Sequence, residues 1–210
     1  MLFFLKMPKL SILILTHNRP ELFKRCLKSA LHSGVEIIVN NDSFDVECPD
    51  GIKLFHKQGS LTSKYKFLVE QASGDYVYFL EDDDILFPGF FKCLGYLNGK
   101  DAYCGSYYSY DQSLGPAEKR IKFDLNFEFQ LSQVIFKKSC LRFDNLVECS
   151  DGSSCIYNDY YLFMNCVKDY EVLNTMFYRQ TCDGGDNISD DCFTNLDKCL
   201  QCKFSRKGFD

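Results

Sequence analysis

The sequence predicts an α/β protein with a mainly parallel central sheet flanked by helices. Three observations support this fold class: short apolar runs recur along the first 80 residues, segments with helical spacing separate most of them, and polar residues end each run. A continuous apolar run is typical of a strand buried on both faces of a parallel sheet. Alternation of such strands with helices indicates an α/β fold.

The first strand and helix have clear boundaries. The run "LSILIL" at 10–15 predicts the strand, and "THNRP" ends it. Pro20 favours a helix start, because proline is tolerated in the first helical turn. An apolar stripe with four-residue spacing follows, formed by Leu22, Cys26 and Ala30. This spacing predicts one buried helix face.

The next elements complete a βαββαβ pattern. Apolar runs at 35–40 and 52–56 predict the second and third strands. Helical spacing over 61–72 predicts a second helix, and the run "YVYFL" at 76–80 predicts the fourth strand. The pattern is Rossmann-like, but no G-x-G-x-x-G follows the first strand, which disfavours a dinucleotide fold.

The second half of the chain has a weaker pattern. Strands are predicted at 102–110, 133–138 and 171–180, with a helix at 156–167. The length of 210 residues suits one core, so we expect a single domain over 1–210. Its expected parts are two halves, at 1–100 and 101–188, and a C-terminal tail at 189–210.

Composition restricts the function classes. Apolar residues make up 46% and charged residues 25% of the chain, which is ordinary for a globular protein. The net charge of -5 does not indicate nucleic-acid binding, although a nucleic-acid partner stays open. No run reaches the ~20 apolar residues of a membrane span, so we expect a cytoplasmic protein, in the host cytoplasm if it is viral.

Twelve cysteines are scattered singly along the chain. A reduced buried cysteine packs as a small hydrophobe, and this describes most of them. A zinc site formed by Cys182, Cys192, Cys199 and Cys202 is the alternative to free thiols, but the spacing of the first pair is irregular.

Polar residues follow three of the predicted strands. The first strand is followed by Thr16, His17, Asn18 and Arg19, and the second by Asn41 and Asp42. In parallel α/β sheets, ligands bind beyond the carboxyl ends of the strands. We therefore expect these side chains to line one site.

An acidic run follows the fourth strand, formed by Glu81, Asp82, Asp83 and Asp84. Crowded carboxylates at an exposed strand end favour a cation, and Mg²⁺ or Mn²⁺ binds carboxylate and phosphate oxygens together. The alternative is a solvated turn before a helix, since acidic residues also favour helix N-termini.

These segments together resemble family 2 glycosyltransferases with the GT-A fold. The resemblance rests on "LSILILTHNRPELFKRCLKSAL", "VEIIVNNDS" and "ASGDYVYFLEDDDILFPGFF", in the family order and spacing. It covers roughly the first 95 residues, and "NDYYLFMNCV" is similar to the family's acceptor-side acidic motif.

The resemblance implies that 1–100 is the nucleotide-sugar-binding donor half and 101–188 the acceptor-binding half, and it implies roles for particular residues. Nucleotide-sugar binding is implied for Thr16, Asn18, Arg19, Asp42, Lys64, Glu81 and Asp82. Glu81 and Asp83 match the ends of the DxD metal motif, and Asp159 matches the catalytic base. Glu81 departs from the usual first aspartate, and Asn158 stands where an acidic residue is common.

The implied function is metal-dependent inverting transfer from a UDP-sugar to an acceptor hydroxyl, with Mn²⁺ or Mg²⁺. The acceptor stays open among a glycan, a lipid, a protein and a modified nucleic-acid base. Two alternatives remain: a non-catalytic nucleotide- or glycan-binding protein, and a nucleotidyltransferase. Asp159 also has an alternative role as a helix N-cap.

Overall fold

The computed structural model of the protein describes residues 10–44, 46–109, 119–125, 129–144, 146 and 158–180. Nine strands lie in these ranges: β1 (Leu10–Thr16), β2 (Val35–Asn41), β3 (Lys53–Phe55), β4 (Tyr76–Glu81), β5 (Ile85–Leu86), β6 (Ala102–Ser109), β7 (Lys119–Ile121), β8 (Val134–Lys137) and β9 (Tyr170–Gln180). The described α-helices are α1 (Pro20–Ala30), α2 (Leu61–Gln71) and α3 (Asn158–Cys166).

Three short 3₁₀ helices accompany them in the described ranges, at Phe90–Tyr96, Leu131–Gln133 and Lys138–Cys140. The predicted elements are present with shifts of one or two residues at their ends. The sequence analysis did not predict β5, β7 or the 3₁₀ helices.

All nine described strands join one sheet with the order β3-β2-β1-β4-β8-β6-β9-β5, and β7 pairs with β6. The first four strands in this order pair in parallel, as the apolar runs predicted. Beyond β4, strand β8 runs antiparallel between β4 and β6. The predicted α/β fold class is confirmed, with antiparallel strands in the second half of the sheet.

Two hydrophobic cores cover the two faces of the sheet. One contains apolar side chains of α1 and the 3₁₀ helix Phe90–Tyr96, and the other contains those of α2 and α3. Along β4, Tyr78 belongs to the first core, whereas Val77 and Phe79 belong to the second. Because side chains alternate along a strand, Glu81 points to the face that α2 and α3 cover.

Some sequence predictions fall outside the described residues. These are the zinc hypothesis for Cys182, Cys192, Cys199 and Cys202, and the tail at 189–210. The division into halves and a single domain stays a prediction. Among the described residues, no helix is long and apolar enough to span a membrane.

Candidate active site

The candidate site lies at the carboxyl ends of β1, β2 and β4, which are neighbours in the sheet. The strand register places Thr16 beside Asn41 and Leu15 beside Glu81. The parallel pairing therefore brings together the loop after β1, the loop after β2 and the acidic run, as the sequence predicted.

Asp42 is the centre of a charged group on the β2 side of this edge. Its Oδ1 lies 2.6 Å from Nδ1 of His17, and its Oδ2 accepts a hydrogen bond from Nζ of Lys64. Burial acts to raise the pKa of Asp42, but Lys64 and His17 outweigh it and lower the pKa below its usual value. Asp42 is therefore an anion at neutral pH, held by contacts with His17 in the loop after β1 and with Lys64 in α2.

The loops after β1 and β2 are joined by a backbone contact. Asn18 has a left-handed φ of 53°, a conformation that asparagine tolerates better than most residues. Its N–H donates to Oγ of Ser43 over 2.9 Å, and this hydroxyl donates to Oδ1 of Asn41 over 2.7 Å. The contacts fix the loop that carries His17 against the loop that carries Asp42.

The acidic run is less exposed than the sequence predicted. Asp82 and Asp83 are each 6% exposed and Asp84 is 0% exposed, whereas Glu81 is open to solvent. The expectation of exposed carboxylates at the strand end was therefore wrong for three of the four. The chain turns back directly after β4, with the N–H of Asp84 donating to the carbonyl of Glu81 over 3.1 Å, and this tight turn folds the aspartates inward.

Arg19 supplies positive charge to these buried carboxylates. Its Nη1 lies 3.2 Å from Oδ1 of Asp82 and 3.5 Å from Oδ2 of Asp83. Burial raises the pKa of Asp82, and the nearby Thr16 hydroxyl and Arg19 guanidinium limit the increase. That hydroxyl is buried and has no partner at good hydrogen-bonding geometry.

Glu81 experiences strong negative potential. Its pKa is raised to about 8, first because the walls of the cleft desolvate it, and then because Asp83, Asp159 and Asp82 repel its charge. Since the side chain remains accessible to solvent, the carboxyl can reach a ligand in the cleft.

Asp159 reaches the same cleft from the first turn of α3. Its Oδ2 accepts a hydrogen bond of 2.9 Å from the backbone N–H of Leu131, in a different segment of the chain. Burial raises its pKa to about 6, and this hydrogen bond limits the increase. The contact with Leu131 is not the bond of a helix cap, which a side chain makes to its own helix.

The site also includes contacts that the sequence analysis missed. The N–H of Leu131 has no sequence signature, because every residue except proline carries one. Tyr65 of α2 is close enough to Glu81 and Asp159 for their charges to raise its pKa, after the larger effect of burial. Its spacing of four residues from Leu61 and three from Leu68 indicated only a core position.

The carboxylates are suited to a divalent cation whose coordination shell is completed by substrate phosphates. Within the described ranges, no three His, Cys, Asp or Glu side chains form a ready-made metal cage. Mg²⁺ typically uses only one or two carboxylates together with water and phosphate oxygens. Glu81 and Asp83 would be two such carboxylates, and the pKa of Glu81 is raised first by burial and then by the negative charges of Asp83, Asp159 and Asp82, which a dication would offset.

Comparison with known protein families agrees with this arrangement of strand ends. The family model described as glycosyl transferase family 2 matches residues 11–161, which include β1, the acidic run and the start of α3. The chain belongs to glycosyl transferase family 2. The family predicted from the three motifs is thereby confirmed.

One curated relative is the GalNAc(5)-diNAcBac-PP-undecaprenol beta-1,3-glucosyltransferase of Campylobacter jejuni. It is 37% identical over 100 residues, which is 40% of this chain and 32% of the relative. The chain thus spans about a third of the length of this relative.

Solved structures of TarS from S. aureus share the fold. A structure of TarS 1–349 matches with a TM-score of 0.60 at 14% identity, covering 82% of this chain and 60% of TarS 1–349. The complex of the same fragment with UDP-GlcNAc has a TM-score of 0.63 at 14% identity, covering 86% and 60%. At this identity the comparison confirms the GT-A-type fold and carries no residue roles.

Proposed function

We propose that the protein is a metal-dependent inverting glycosyltransferase that moves a sugar from a UDP-sugar to an acceptor hydroxyl. The observation that carries this proposal is that Asp83 and Asp159, from distant parts of the chain, both lie close enough to Glu81 for their charges to raise its pKa, in addition to the larger effect of burial. Glu81 follows a strand of the donor half, and Asp159 begins a helix of the acceptor half.

The donor nucleotide is assigned to the edge formed by the loops after β1 and β2. Asp42 is an anion there and accepts hydrogen bonds, which suits the N–H of uracil or the ribose hydroxyls. Thr16, Asn18 and Arg19 lie in the adjoining loop, and Lys64 holds Asp42 from α2. The TarS structures in complex with UDP and UDP-GlcNAc support a uridine donor.

The diphosphate is assigned to the acidic run. Glu81 and Asp83 would hold Mn²⁺ or Mg²⁺, which neutralises the charge that develops on the leaving diphosphate. Arg19 offsets part of the charge of Asp82 and Asp83, and its guanidinium is assigned a contact with a donor phosphate.

Asp159 is assigned the role of general base. Its carboxylate takes the proton from the acceptor hydroxyl as that oxygen attacks the anomeric carbon. With a pKa of about 6 it is mostly ionised at neutral pH, yet basic enough to accept a proton. Attack from the side opposite the diphosphate inverts the anomeric centre.

The acceptor group is assigned as a hydroxyl of a sugar. The name of the Campylobacter jejuni relative describes transfer to a glycan on a lipid diphosphate, so a glycan is the first acceptor to test. The cytoplasmic location predicted from the sequence remains part of this proposal.

A nucleotide-sugar panel tests the proposal. Binding of UDP-GlcNAc, UDP-glucose, UDP-galactose and GDP-mannose is measured by calorimetry with Mn²⁺ and with EDTA, and release of the nucleotide is followed with water and with glycan acceptors. We expect a UDP-sugar to bind more tightly with Mn²⁺ and to be turned over. Mn²⁺-independent binding without turnover would instead favour a non-catalytic binding protein, and release of pyrophosphate from UTP and a sugar phosphate would favour a nucleotidyltransferase.

A further inference from the structure

The segment that holds Asp159 is a short buried turn, Gln130–Gln133, which we call the clamp turn. It contains the 3₁₀ helix Leu131–Gln133 and leads directly into β8. The N–H of Leu131, in this turn, donates to Oδ2 of Asp159 over 2.9 Å. The position of the clamp turn therefore determines where the carboxylate lies.

Side chains from two strands bind the clamp turn. The hydroxyl of Tyr78 in β4 donates to the carbonyl of Ser132 over 2.6 Å. The hydroxyl of Tyr178 in β9 donates to Oε1 of Gln130. Both tyrosines are 0% exposed, so water does not compete for these bonds.

A third contact and an internal pair of bonds complete the clamp. Gln133 is 0% exposed, and its Nε2 donates to the carbonyl of Gly105 in β6 over 3.2 Å. Its Oε1 accepts from the N–H of Gln130 over 3.1 Å, in a capping box that closes the turn. The turn is thus fixed to β4 on one side of β8 and to β6 and β9 on the other side.

The tyrosines remain donors at every pH at which the protein is active. Burial raises the pKa of both Tyr78 and Tyr178 well above the usual value, and the charge of Asp84 raises each further. A protonated hydroxyl has one hydrogen to donate, and here it is directed at the turn.

We propose that Tyr78 and Tyr178 are positioning residues for Asp159, acting through the clamp turn and the N–H of Leu131. This inference rests on the proposed role of Asp159 as the base. It assigns a function to two buried hydroxyls that do not touch the cleft. Strand β4 therefore carries both the acidic run and, three residues earlier, one of the two hydroxyls that position the base.

Loosening the turn has a specific electrostatic consequence. A hydrogen bond to a carboxylate favours the charged form, so weakening the bond from Leu131 raises the pKa of Asp159. Glu81 and Tyr65 are the titratable groups on neighbouring described elements that interact with Asp159, and neither is altered by the change. A general loss of stability would not shift this pKa.

The test uses Tyr178→Phe and Tyr78→Phe, with Tyr103→Phe as the matched control. Tyr103 is also 0% exposed, and its hydroxyl donates to Oδ1 of Asn98 over 2.6 Å, outside the clamp turn. The pKa of Asp159 is measured by ¹³C NMR of protein labelled at aspartate carboxyl carbons, with Asp159→Asn for assignment.

We expect the pKa of Asp159 to rise by roughly 0.3–1 unit in Tyr178→Phe and Tyr78→Phe, which corresponds to weakening one hydrogen bond to a charged group. In Tyr103→Phe it stays at the wild-type value. With UDP-GlcNAc as donor, the acid limb of the kcat/KM profile should move by the same amount, while calorimetric UDP affinity is unchanged.

An unchanged pKa of Asp159 in both variants would overturn the positioning role, as would an equal shift in Tyr103→Phe. The NMR measurement requires no turnover, so this failure is distinguishable from failure of the proposed function. The latter would show as a wild-type protein that transfers no sugar from any donor of the panel.

Discussion

The guanidinium of Arg19 lies 3.2 Å from Oδ1 of Asp82, across the boundary between the loop after β1 and the acidic run. Both side chains are largely buried, with 19% and 8% exposure. The pair joins two segments that are 63 residues apart in the chain, and it offsets part of the negative charge that would otherwise be left in the site.

Replacement of Arg19 should show how much its positive charge stabilises the acidic run. We expect Arg19→Gln to lower the free energy of unfolding by about 1–3 kcal/mol, between the values for exposed and buried pairs. Mn²⁺ should raise the melting temperature of this variant by more than it raises that of the wild type, because a cation can replace the lost charge. Lys100→Gln, which removes an exposed pair with Asp169, is the control. Equal effects of Mn²⁺ on both variants would contradict the expectation.

Replacement of Asp83 should separate metal binding from nucleotide binding. Asp83→Asn keeps the shape of the side chain but removes a charged oxygen ligand, so we expect the Mn²⁺-dependent part of UDP affinity to disappear. Calorimetry with Mn²⁺ and with EDTA measures this difference. Asp169→Asn changes an exposed carboxylate elsewhere and should keep the wild-type difference. Full transferase activity in EDTA would remove the cation from the mechanism.

Replacement of Asp42 should weaken donor binding. Loss of a hydrogen bond to a charged group costs about 1.5–3 kcal/mol, so Asp42→Asn should raise the Kd for UDP roughly 10- to 100-fold. The control is Glu36→Gln, on the same strand, where the carboxylate pairs with Lys53 away from the site. If Asp42→Asn binds UDP as tightly as Glu36→Gln does, the nucleotide lies elsewhere.

Replacement of Asp159 should stop transfer without affecting the donor. A positioned general base contributes ~10²–10⁴ in rate, so kcat of Asp159→Asn should fall by that factor while the Kd for UDP stays constant. Asparagine can still accept the hydrogen bond from Leu131, so the fold is preserved. Near-normal transfer by this variant would place the base at another residue.

The same variant should change how stability depends on pH. The pKa of Asp159 is about 6 in the folded protein, whereas an unfolded aspartate titrates near ~3.9. The folded state therefore binds this proton more tightly. The contribution of the Asp159 carboxyl to the free energy of unfolding is complete below about pH 4. It is lost as the pH rises through about 6, and it amounts to at most about 3 kcal/mol.

Urea unfolding at about pH 4.5 and 7.5 measures this contribution as the difference between wild type and Asp159→Asn. Carboxylates that do not interact with Asp159, such as Glu36 with its pKa lowered to about 2, cancel in the comparison. Glu81 does not cancel, but the Asp159 charge raises its pKa and therefore changes the difference in the same direction. We expect the stability of the wild type relative to Asp159→Asn to decrease between the two pH values. A constant difference would mean that Asp159 titrates as it does in an unfolded chain.

Periodicity and strand-end chemistry were sufficient to predict much of the fold and the meeting of the polar strand ends. The run at 10–15 and the run at 76–80 became adjacent parallel strands, and their polar ends met as expected. The close approach of Asp42, Lys64 and Arg19 to this edge follows from parallel pairing, which any chain with this order of elements must satisfy.

The sequence by itself determined the order of strands and helices, the family and the chemical nature of the strand ends, because apolar periodicity and residue type are local properties. Only the tertiary structure decided that Asp82 and Asp83 are buried against Arg19, and that Asp159 meets Glu81. It also decided that the N–H of Leu131 orients Asp159. These contacts join segments 28 to 78 residues apart, and a backbone N–H or a pKa depends on the surrounding packing rather than on the residue's own identity.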